Sequence, residues 1–387
     1  MLGGAGAMGR ITVQDLRRTG GGLNVVVADH DVGPAKDLGV ECVTVDVTDR
    51  QSLRRALDGA FATIASLPYR FNLEAMAGAL EAGAHYIDLG GLFHMTRRQL
   101  ERHSAFESAG LMAVIGMGSA PGIVNVLAVH AARDLDVVRE VHCLVGSIDR
   151  TLFRDRPPLG FDYSADTLLD EFVLESAVFR DGTFQMVPAL DPKERIAVRF
   201  PAPIGRHVVD STLHSEVATL PGSFRDRGVR EVTFRQSFDT EFVEHLRFLV
   251  RLGLADKTPL ELRTGAAVDH AKVSPRDVLL ALLRRFPPAT PLGPSRRFEV
   301  LRALVRGRRG RRAIAVAADC HAGPDAGGGI GPDIDTGAPP SIAARFMVSG
   351  EMGIRPGVWA PEQVVPLEPF FRELQRRGMR IRRTELR

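Results

Sequence analysis

Three glycines near the start of the chain have the spacing Gly4-x-Gly6-x-x-Gly9, and an acidic residue, Asp29, follows twenty residues after the last of them. A helical pattern and then the apolar run 23–28 lie between them. In such an arrangement the first glycine permits a tight turn, the second lets the backbone approach a pyrophosphate, and the third lets the helix pack on a strand. The N–H groups at the helix start can hold phosphate charge. The pattern predicts a dinucleotide site whose loop residues are Gly4, Gly6, Ala7, Met8 and Gly9.

Asp29 bears on which dinucleotide binds. Its carboxylate can accept hydrogen bonds from both hydroxyls of the adenosine ribose, and its charge would repel a 2′-phosphate. We therefore predict NAD as the cofactor. His30 stands next to it, and a protonated imidazole could tolerate the phosphate, so NADP stays open as an alternative.

The strand that should precede the glycine turn is nearly absent. The fold needs about five residues before the first glycine, and only Met1, Leu2 and Gly3 are available. A missing central strand would leave backbone groups of its two neighbours unpaired, each costing about 1–3 kcal/mol if buried. We therefore expect about four to six further residues, mostly Val, Ile or Leu, upstream in frame.

The first 125 residues alternate apolar runs with helical patterns, which is typical of a parallel sheet with crossover helices. Predicted strands cover 23–28, 42–47, 61–67, 86–89 and 111–115, and predicted helices cover 51–58, 73–82 and 97–108. The strands are apolar almost throughout, as expected for a sheet buried on both faces. The fold class predicted is α/β, with a Rossmann-type doubly wound parallel sheet.

A second, α+β domain with a mixed sheet is predicted beyond this point, because strand and helix patterns no longer alternate regularly. We expect a nucleotide-binding domain over 1–125, a substrate and dimerisation domain over 126–335, and C-terminal helices over 336–387 that return to the first domain. Within the second part, the predicted elements are a strand over 137–148, a helix over 164–177, a hairpin over 300–317, a loop over 321–335 and helices over 340–349 and 369–377.

Four motifs occur in an order that resembles the saccharopine dehydrogenase-like family, and most closely its NAD-dependent lysine 6-dehydrogenase branch. They are the glycine loop, Leu67-Pro68-Tyr69-Arg70-Phe71-Asn72, Asp88-Leu89-Gly90-Gly91 and Gly118-Ser119-Ala120-Pro121-Gly122. Weaker matches at 219–221, 274–280, 336–337 and 361–363 extend the resemblance over nearly the whole chain. The resemblance implies chemistry at an amine-bearing carbon of an amino acid. It also implies a mixed-sheet domain that covers the active site and makes a homodimer, which we expect to form through residues of roughly 136–330.

The chain departs from that family pattern at 210–216, which is bulkier and more acidic than the lysine-oxidising branch leads us to expect. This departure bears on the particular substrate more than on the reaction type. The lysine-forming saccharopine dehydrogenases use a Lys/His pair. No lysine of this chain lies at the end of a predicted strand of the nucleotide-binding domain, so that mechanism is disfavoured.

Ligands of doubly wound sheets bind beyond the carboxyl ends of the strands. Asp46 and Val47 are therefore predicted beside the adenine, although Asp46 could instead cap the following turn. The segment Ser66, Leu67 and Pro68 is predicted against the nicotinamide ribose.

Oxidation of an amine needs a group that removes the ammonium proton and activates water on the imine, and histidine suits both steps. His94 follows the fifth strand of the predicted fold, counting the short first one, and His214 comes from the second domain. Tyr69 follows the nicotinamide strand and could donate a hydrogen bond. We predict these three as catalytic, although His94 could be a helix cap or a packed surface residue, and Tyr69 could pack on the sheet edge.

Six residues are predicted to contact the substrate. Arg70 could clamp a carboxylate or form a surface salt bridge, and Asn72 could bind the substrate or cap a helix. Glu216 could pair with an ammonium group or be an ordinary solvated glutamate. The open backbone around 116–122 would form either the substrate-side wall or a hinge into the second domain. The predicted set is Arg70, Asn72, Gly91, Ser119, Pro121 and Glu216.

Bulk properties exclude several classes of protein. The net charge of +3 is too small to imply nucleic acid as a partner, and no apolar run approaches the length of a membrane span. The three cysteines are far apart and lack metal-ligand spacing, so we expect free thiols, no metal and a cytoplasmic enzyme with a small amino-acid substrate. Two alternatives stay open: reductive condensation of an amine with a keto or aldehyde acid, and a catalytically silent dinucleotide-binding protein.

Overall fold

The computed structural model describes residues 1–386 except 156–158, 161–163, 264–269 and 288. Its first part is a parallel sheet with helices between the strands, as predicted. The strands are β1 (Val26–Asp29), β2 (Glu41–Thr44), β3 (Ala62–Ala65), β4 (His85–Asp88) and β5 (Met112–Val114). The helices are α1 (Ala7–Thr19), α2 (Arg50–Leu57), α3 (Asn72–Ala82), α4 (Phe93–Leu100) and α5 (His103–Ser108), with 3-10 turns at Gly33–Leu38 and Tyr69–Phe71.

The three residues before Gly4 fill the centre of this sheet. Leu2 bridges to both β1 and β3 in parallel, which places it between them in the order β2–β1–Leu2–β3–β4–β5. Its N–H donates to Ile64 at 2.8 Å, and its carbonyl accepts from Ser66 at 2.9 Å. The carbonyl of Met1 accepts from Ala28 at 2.8 Å. The residues of β1 and β3 that flank the glycine turn are therefore paired, contrary to the expectation of unpaired neighbours.

The second part is built on a seven-stranded mixed sheet, which confirms the predicted mixed α+β architecture. Its strands are β6 (Val137–Asp149), β7 (Ser176–Arg180), β8 (Thr183–Val187), β11 (Glu231–Gln236), β14 (Arg297–Arg309), β15 (Arg312–Ala322) and β17 (Arg380–Leu386). Their order is β17–β15–β14–β6–β11–β7–β8, and of the neighbouring strands described in this sheet, β6 and β11 pair in parallel while the other pairs are antiparallel. Two small antiparallel pairs accompany it: β9 (Ile196–Arg199) with β10 (Arg206–Val209), and β12 (Leu260–Arg263) with β13 (His270–Val273).

The helices described in the second part are α6 (Ile123–Ala132), α7 (Ala165–Val173), α8 (Glu216–Ser223), α9 (Thr240–Arg251), α10 (Pro275–Leu283), α11 (Ala326–Gly329), α12 (Ile334–Ser349), α13 (Pro361–Val364) and α14 (Leu367–Arg376), with a 3-10 turn at Arg225–Arg227. Helix α6 packs on β14 and β15 of the mixed sheet, and α12 packs on β3 and β4 of the parallel sheet. Strand β16 (Gly357–Trp359) joins β5 as a further strand of the parallel sheet. The C-terminal segment therefore contributes to both sheets, since β17 pairs with β15.

Three predicted elements differ most from the observed ones. The helix predicted over 97–108 begins at Phe93 and is divided into α4 and α5, because the N–H of Arg102 turns back to Gln99 and tightens the end of α4. The helix predicted over 164–177 ends at Val173, and Ser176 begins a strand paired within the mixed sheet. In the second case the strand pairing outweighs the local helix propensity.

The third error concerns the predicted loop 321–335, in which α11 and the start of α12 lie. Helix α12 continues through Pro339 and Pro340, although proline ordinarily disrupts a helix. Packing on α1 explains its persistence, because Thr12 Oγ1 donates to the Gly337 carbonyl at 2.8 Å and Gly337 lies against Ile11.

A buried ionic cluster joins α1 to the C-terminal helices. Both Nε and Nη2 of Arg377 donate to Asp15 at 2.7 Å, and Nη1 donates to Glu373 at 2.7 Å. Ser341 and Arg345 of α12 bind the same two carboxylates. Burial alone would raise the pKa of Glu373, but hydrogen bonds from Arg377 and Arg345 lower it to about 2.

We predict that Arg377→Met destabilises the fold by about 3–5 kcal/mol, because it leaves two buried carboxylates short of a partner. The matched control is Arg376→Met, since Arg376 also contacts Glu373 but its side chain is 70% exposed. Its effect should stay below about 1 kcal/mol. Urea unfolding measures both.

The contribution of Glu373 to stability should be complete above pH 4.5, the ordinary value of its pKa, and lost as the pH falls toward 2.

Equal losses for the two arginine variants at neutral pH would contradict a special role for the buried cluster.

Candidate active site

The glycine loop has the close contacts that a dinucleotide fold requires. A Cβ added at Gly9 would lie 2.1 Å from the Gly3 carbonyl oxygen, and one at Gly4 would lie 2.9 Å from Val27. A Cβ at Gly6 would meet only the Gly3 oxygen at 3.4 Å, so this position is open on its outer side. Helix α1 begins immediately afterwards, at Ala7, and Met8 follows in its first turn. The loop therefore fits a pyrophosphate held at the helix N-terminus.

Asp29 lies at the end of β1 and touches the loop. Its Oδ2 accepts the Ala5 N–H at 3.0 Å, so the same carboxylate that was predicted to bind the ribose also fixes the glycine turn. Asp46 behaves differently, because its Oδ1 accepts from the N–H of Thr48 at 2.9 Å and from its hydroxyl at 2.7 Å. This is the capping arrangement, which is the alternative to adenine binding. The roles of Asp46 and Val47 at the adenine stay predictions.

The turn at Gly90 and Gly91 follows β4, and side chains bind each of its backbone polar groups. The Gly90 N–H donates to Asp88 at 2.9 Å, and its carbonyl accepts from Asn72 at 3.1 Å. The Gly91 N–H donates to Ser215 at 3.4 Å, and the Ser215 hydroxyl donates to the Gly91 carbonyl. The turn is thus fixed from three separate parts of the chain.

Asp88 is a site residue that was not predicted. It is fully buried, and its Oδ1 accepts the N–H of Gly116 at 2.7 Å as well as that of Gly90. Gln99 donates to its Oδ2 at 2.5 Å. Burial raises the pKa of Asp88, against the lowering effect of these donors. Its place at the carboxyl end of the buried strand β4 was the available signal, since a buried acid there must find donors.

His214 and Glu216 form a buried pair. The His214 Nδ1 bonds to the Glu216 Oε2 at 2.6 Å, and the imidazole stacks on Phe234 with 3.7 Å between ring centroids. Burial alone would lower the pKa of His214, but the charge and hydrogen bond of Glu216 raise it above its ordinary value. Nε2 has no partner among the described residues. An imidazole oriented through one nitrogen, with the other left for a ligand, is the arrangement of a general acid/base.

Ser215 connects this pair to the nucleotide-binding domain. Besides Gly91, its Oγ bonds to the Thr96 hydroxyl of α4 at 2.9 Å. His214 is therefore held next to the turn after β4, at the carboxyl edge of the parallel sheet. Glu216 was predicted to bind substrate; the contact that the structure shows is to His214, so an orienting role is the better hypothesis.

Tyr69 follows Ser66, Leu67 and Pro68 at the end of β3, and it faces a network centred on Asp170 of α7. Its hydroxyl donates to Asp170 Oδ2 at 2.6 Å, and burial together with this bond raises the pKa of Tyr69. Arg276 of α10 donates to Asp170 Oδ1 at 2.6 Å. Lys257 Nζ lies 3.0 Å from the same oxygen.

His94 lies in the first turn of α4, and not before the helix as predicted. Its ring packs edge-on against Tyr69, with 5.6 Å between centroids, and partial burial lowers its pKa. Arg70 donates to Asp166 at 2.6 Å, which is the salt bridge that was weighed against carboxylate binding. Asn72 Nδ2 donates to the Gly90 carbonyl, and Asn72 is the first residue of α3 and not its cap, while its contact with the substrate stays a prediction.

Ser119 and Pro121 lie where the substrate-side wall was predicted. Pro121 packs on Gly90 and Gly116, and Ser119 Oγ accepts from Thr336 at 3.0 Å. Tyr69, Gly91, His94 and His214 are thus brought together at the ends of β3 and β4, and the 116–122 segment closes one side. Their contacts with a ligand stay predictions. Within the described ranges, no cluster of three or more His, Cys, Asp or Glu side chains could hold a metal ion.

Two family models match this chain. The saccharopine dehydrogenase NADP-binding domain matches residues 1–114, and the saccharopine dehydrogenase C-terminal domain matches residues 118–379. The chain belongs to the saccharopine dehydrogenase family. This confirms the resemblance drawn from the four motifs, the NAD(P)-binding domain and membership of an oxidoreductase family.

Curated relatives are about a quarter identical to the chain over the aligned residues. Carboxynorspermidine synthase of Vibrio cholerae is 25% identical over 286 residues, which are 71% of this chain and 63% of that protein. Carboxyaminopropylagmatine dehydrogenase of Synechocystis is 22% identical over 270 residues, 66% of each chain. The chain therefore matches less than two thirds of the length of these relatives.

Solved structures support the fold. Saccharopine dehydrogenase (L-Glu forming) of Saccharomyces cerevisiae has a TM-score of 0.73 at 18% identity, over 100% of this chain and 99% of that one. Homospermidine synthase of Legionella pneumophila, solved with NAD, has a TM-score of 0.68 at 12% identity, over 100% and 90%. At these identities the likeness shows the fold alone, and it agrees with the two sheets described above.

We predict that Gly90→Ala destabilises the protein by about 2–4 kcal/mol. Gly90 has φ +108°, and an added Cβ would lie 2.5 Å from the rigid ring of Pro121. Gly110→Ala is the matched control, because Gly110 also has positive φ (+68°) but no heavy atom lies within 4 Å of its added Cβ. The control should lose only about 1 kcal/mol in urea unfolding. Similar losses for both variants would show that the turn tolerates displacement.

Proposed function

We propose that the protein is an NAD(P)-dependent oxidoreductase that acts on a CH–NH or CH–NH2 group of an amino acid. The observation that carries this proposal is the His214–Glu216 pair held beside Gly91 through Ser215. The pair supplies an oriented acid/base at the edge where the fold places the nicotinamide. A catalytically silent binding protein would not need a buried imidazole with one nitrogen left for a ligand.

Cofactor binding and proton transfer are proposed for different residues of the site. The glycine loop and the N-terminus of α1 would hold the pyrophosphate, Asp29 would bind the adenosine ribose, and Ser66 to Pro68 would border the nicotinamide ribose. A nicotinamide bound there would supply the chemistry of hydride exchange with the amine-bearing carbon. His214 Nε2 removes a proton from the substrate ammonium before that step and returns a proton to nitrogen in the reverse direction. Glu216 stabilises the imidazolium that forms in between.

The reverse reaction, reductive condensation of an amine with a carbonyl acid, is supported by the names of the relatives, which include a synthase and a dehydrogenase of carboxylated polyamine-type products. Both directions use the same secondary amine and the same proton transfers, so one site serves either. We therefore propose amino acids with a substituted amine as the substrate class, with carboxynorspermidine-type compounds and saccharopine as its first members to test.

The direct test is a panel of L-lysine, saccharopine and carboxynorspermidine with NAD and with NADP, followed by the absorbance of the reduced nicotinamide. We expect turnover with at least one compound. We also expect a preference for NAD, because the Asp29 carboxylate would repel a 2′-phosphate. Binding of NADH without turnover of any compound in either direction would favour the silent alternative.

Three variants test which residue is the acid/base within that assay. His214→Gln should lower kcat by about 10²–10⁴-fold, while His94→Gln serves as the matched control and should lower it far less. In the unmodified protein Glu216 holds the pKa of His214 above its ordinary value. Glu216→Gln should therefore move the acidic limb of the kcat/KM profile to lower pH. A larger loss at His94 than at His214 would assign the role to His94.

We also propose that the active form is a homodimer built through the mixed-sheet domain. Edge strand β8 supports this, because Phe184 and Met186 are 41% and 47% exposed on it. Burial of such side chains between two copies would be favourable. Light scattering at micromolar concentration should give twice the chain mass of 42.1 kDa, and a monomer mass would contradict the proposal.

A further inference from the structure

Lys257 is the exposed end of the network around Asp170. Its Nζ lies 3.0 Å from Oδ1 and 3.2 Å from Oδ2 of Asp170, while its side chain is 61% exposed. Asp170 itself is buried and is also held by Tyr69 and Arg276. Burial alone would raise the pKa of Asp170, but these three donors lower it below its ordinary value. The carboxylate therefore acts as a fixed anchor for the ammonium group.

This network carries more positive than negative charge. Two carboxylates, those of Asp166 and Asp170, are bound by three cations: Arg70, Lys257 and Arg276. Tyr69 adds no charge, since its pKa is raised. One positive charge of the group is therefore not balanced within it, and it can be balanced by an anionic ligand.

Lys257 is the member of the group best placed to meet that ligand. Arg276 is only 4% exposed and is occupied by both carboxylates. Arg70 is bound to Asp166, and its guanidinium lies over the Phe71 ring at 4.6 Å. The Lys257 ammonium has three N–H groups, and Asp170 is its only partner among the described residues. At least one N–H is left for a ligand.

The backbone around Lys257 is fixed. Asp256 Oδ1 accepts the N–H of Thr258 at 2.8 Å, and the Asp256 carbonyl accepts the N–H of Arg276 at 3.1 Å. Lys257 is also one of four lysines in a chain of 50 basic residues, the others being Lys36, Lys193 and Lys272. A compact ammonium donor is thus held at a defined place on a stem that can adjust to its ligand.

The position of this ammonium group relates it to the reacting centre. Lys257 and the Tyr69 hydroxyl share one acceptor atom, Asp170 Oδ2. Tyr69 directly follows the predicted nicotinamide segment, and its ring touches His94. A carboxylate bound by Lys257 would therefore lie on the Tyr69 side of the proposed site.

We propose that Lys257 binds the substrate carboxylate and so makes the site select amino acids over the corresponding simple amines. This inference rests on the proposed function and deepens it, since it names the recognition element for one substrate group. Arg70 was predicted to bind the substrate carboxylate; in this proposal Lys257 has that role instead.

The test uses compounds that differ only by the carboxylate: L-lysine against cadaverine, and carboxynorspermidine against norspermidine. Unmodified protein, Lys257→Met, Lys257→Arg and the control Lys193→Met are compared. Lys193 is exposed in a turn and shows only a backbone hydrogen bond. The readouts are kcat and KM, together with calorimetric binding of each compound to the NADH complex.

Lys257→Met should raise KM for the carboxylated compound at least tenfold, with kcat changed less than about threefold, because it removes ground-state binding. Its affinity for the decarboxylated partner should not change, Lys257→Arg should keep much of the discrimination, and Lys193→Met should match the unmodified protein. If unmodified protein turns over a carboxylated compound and Lys257→Met keeps the same discrimination, the Lys257 proposal is overturned while the proposed function stands. If unmodified protein neither binds nor turns over any compound, both are overturned.

Discussion

The turn at Gly90 and Gly91 is the constraint on which the site depends. Both N–H groups and both carbonyls of these residues are bound by side chains, from Asp88, Asn72 and Ser215. Gly90 has positive φ and lies against Pro121, so the turn cannot relax outward. Because Ser215 adjoins His214, fixing this turn also fixes the candidate acid/base relative to the carboxyl edge of the parallel sheet. A displacement of the turn would therefore also displace the candidate acid/base, and catalysis is sensitive to such misplacement.

Buried charged side chains join distant parts of the chain at two further places. Arg377 fastens the C-terminal helices to α1, the helix that begins at the glycine loop. Asp170 of α7 binds both Arg276 of α10 and the hydroxyl of Tyr69, which follows β3. Buried ion pairs contribute little net stability, because burying the two charges costs free energy. Removing one partner is costly, since the other charge is then left buried and unpaired, so the pairs determine which elements pack together. The cofactor side and the substrate side of the site are thereby held in one arrangement.

The parts predicted from sequence are those with local signals. The glycine spacing, the helix after it and Asp29 lie within thirty residues, and periodicity with apolar strands predicted the parallel sheet. The contacts that build the substrate side join distant residues, such as Tyr69 to Asp170 across 101 positions and Gly91 to Ser215 across 124. No local pattern encodes such pairs. For the same reason Arg70, Asn72 and Glu216 were recognised as polar residues near the site, but the partners that engage them could not be predicted.

In the proposed site the Gly90–Gly91 turn brings His214 to the nicotinamide. A crystal structure of the NADH complex tests it most directly, through the distance from His214 Nε2 to nicotinamide C4. We predict that this distance is about 5–7 Å, enough for one substrate C–N group between the two atoms. His214 turned away from the nicotinamide, or separated from C4 by more than about twice that distance, would contradict the account.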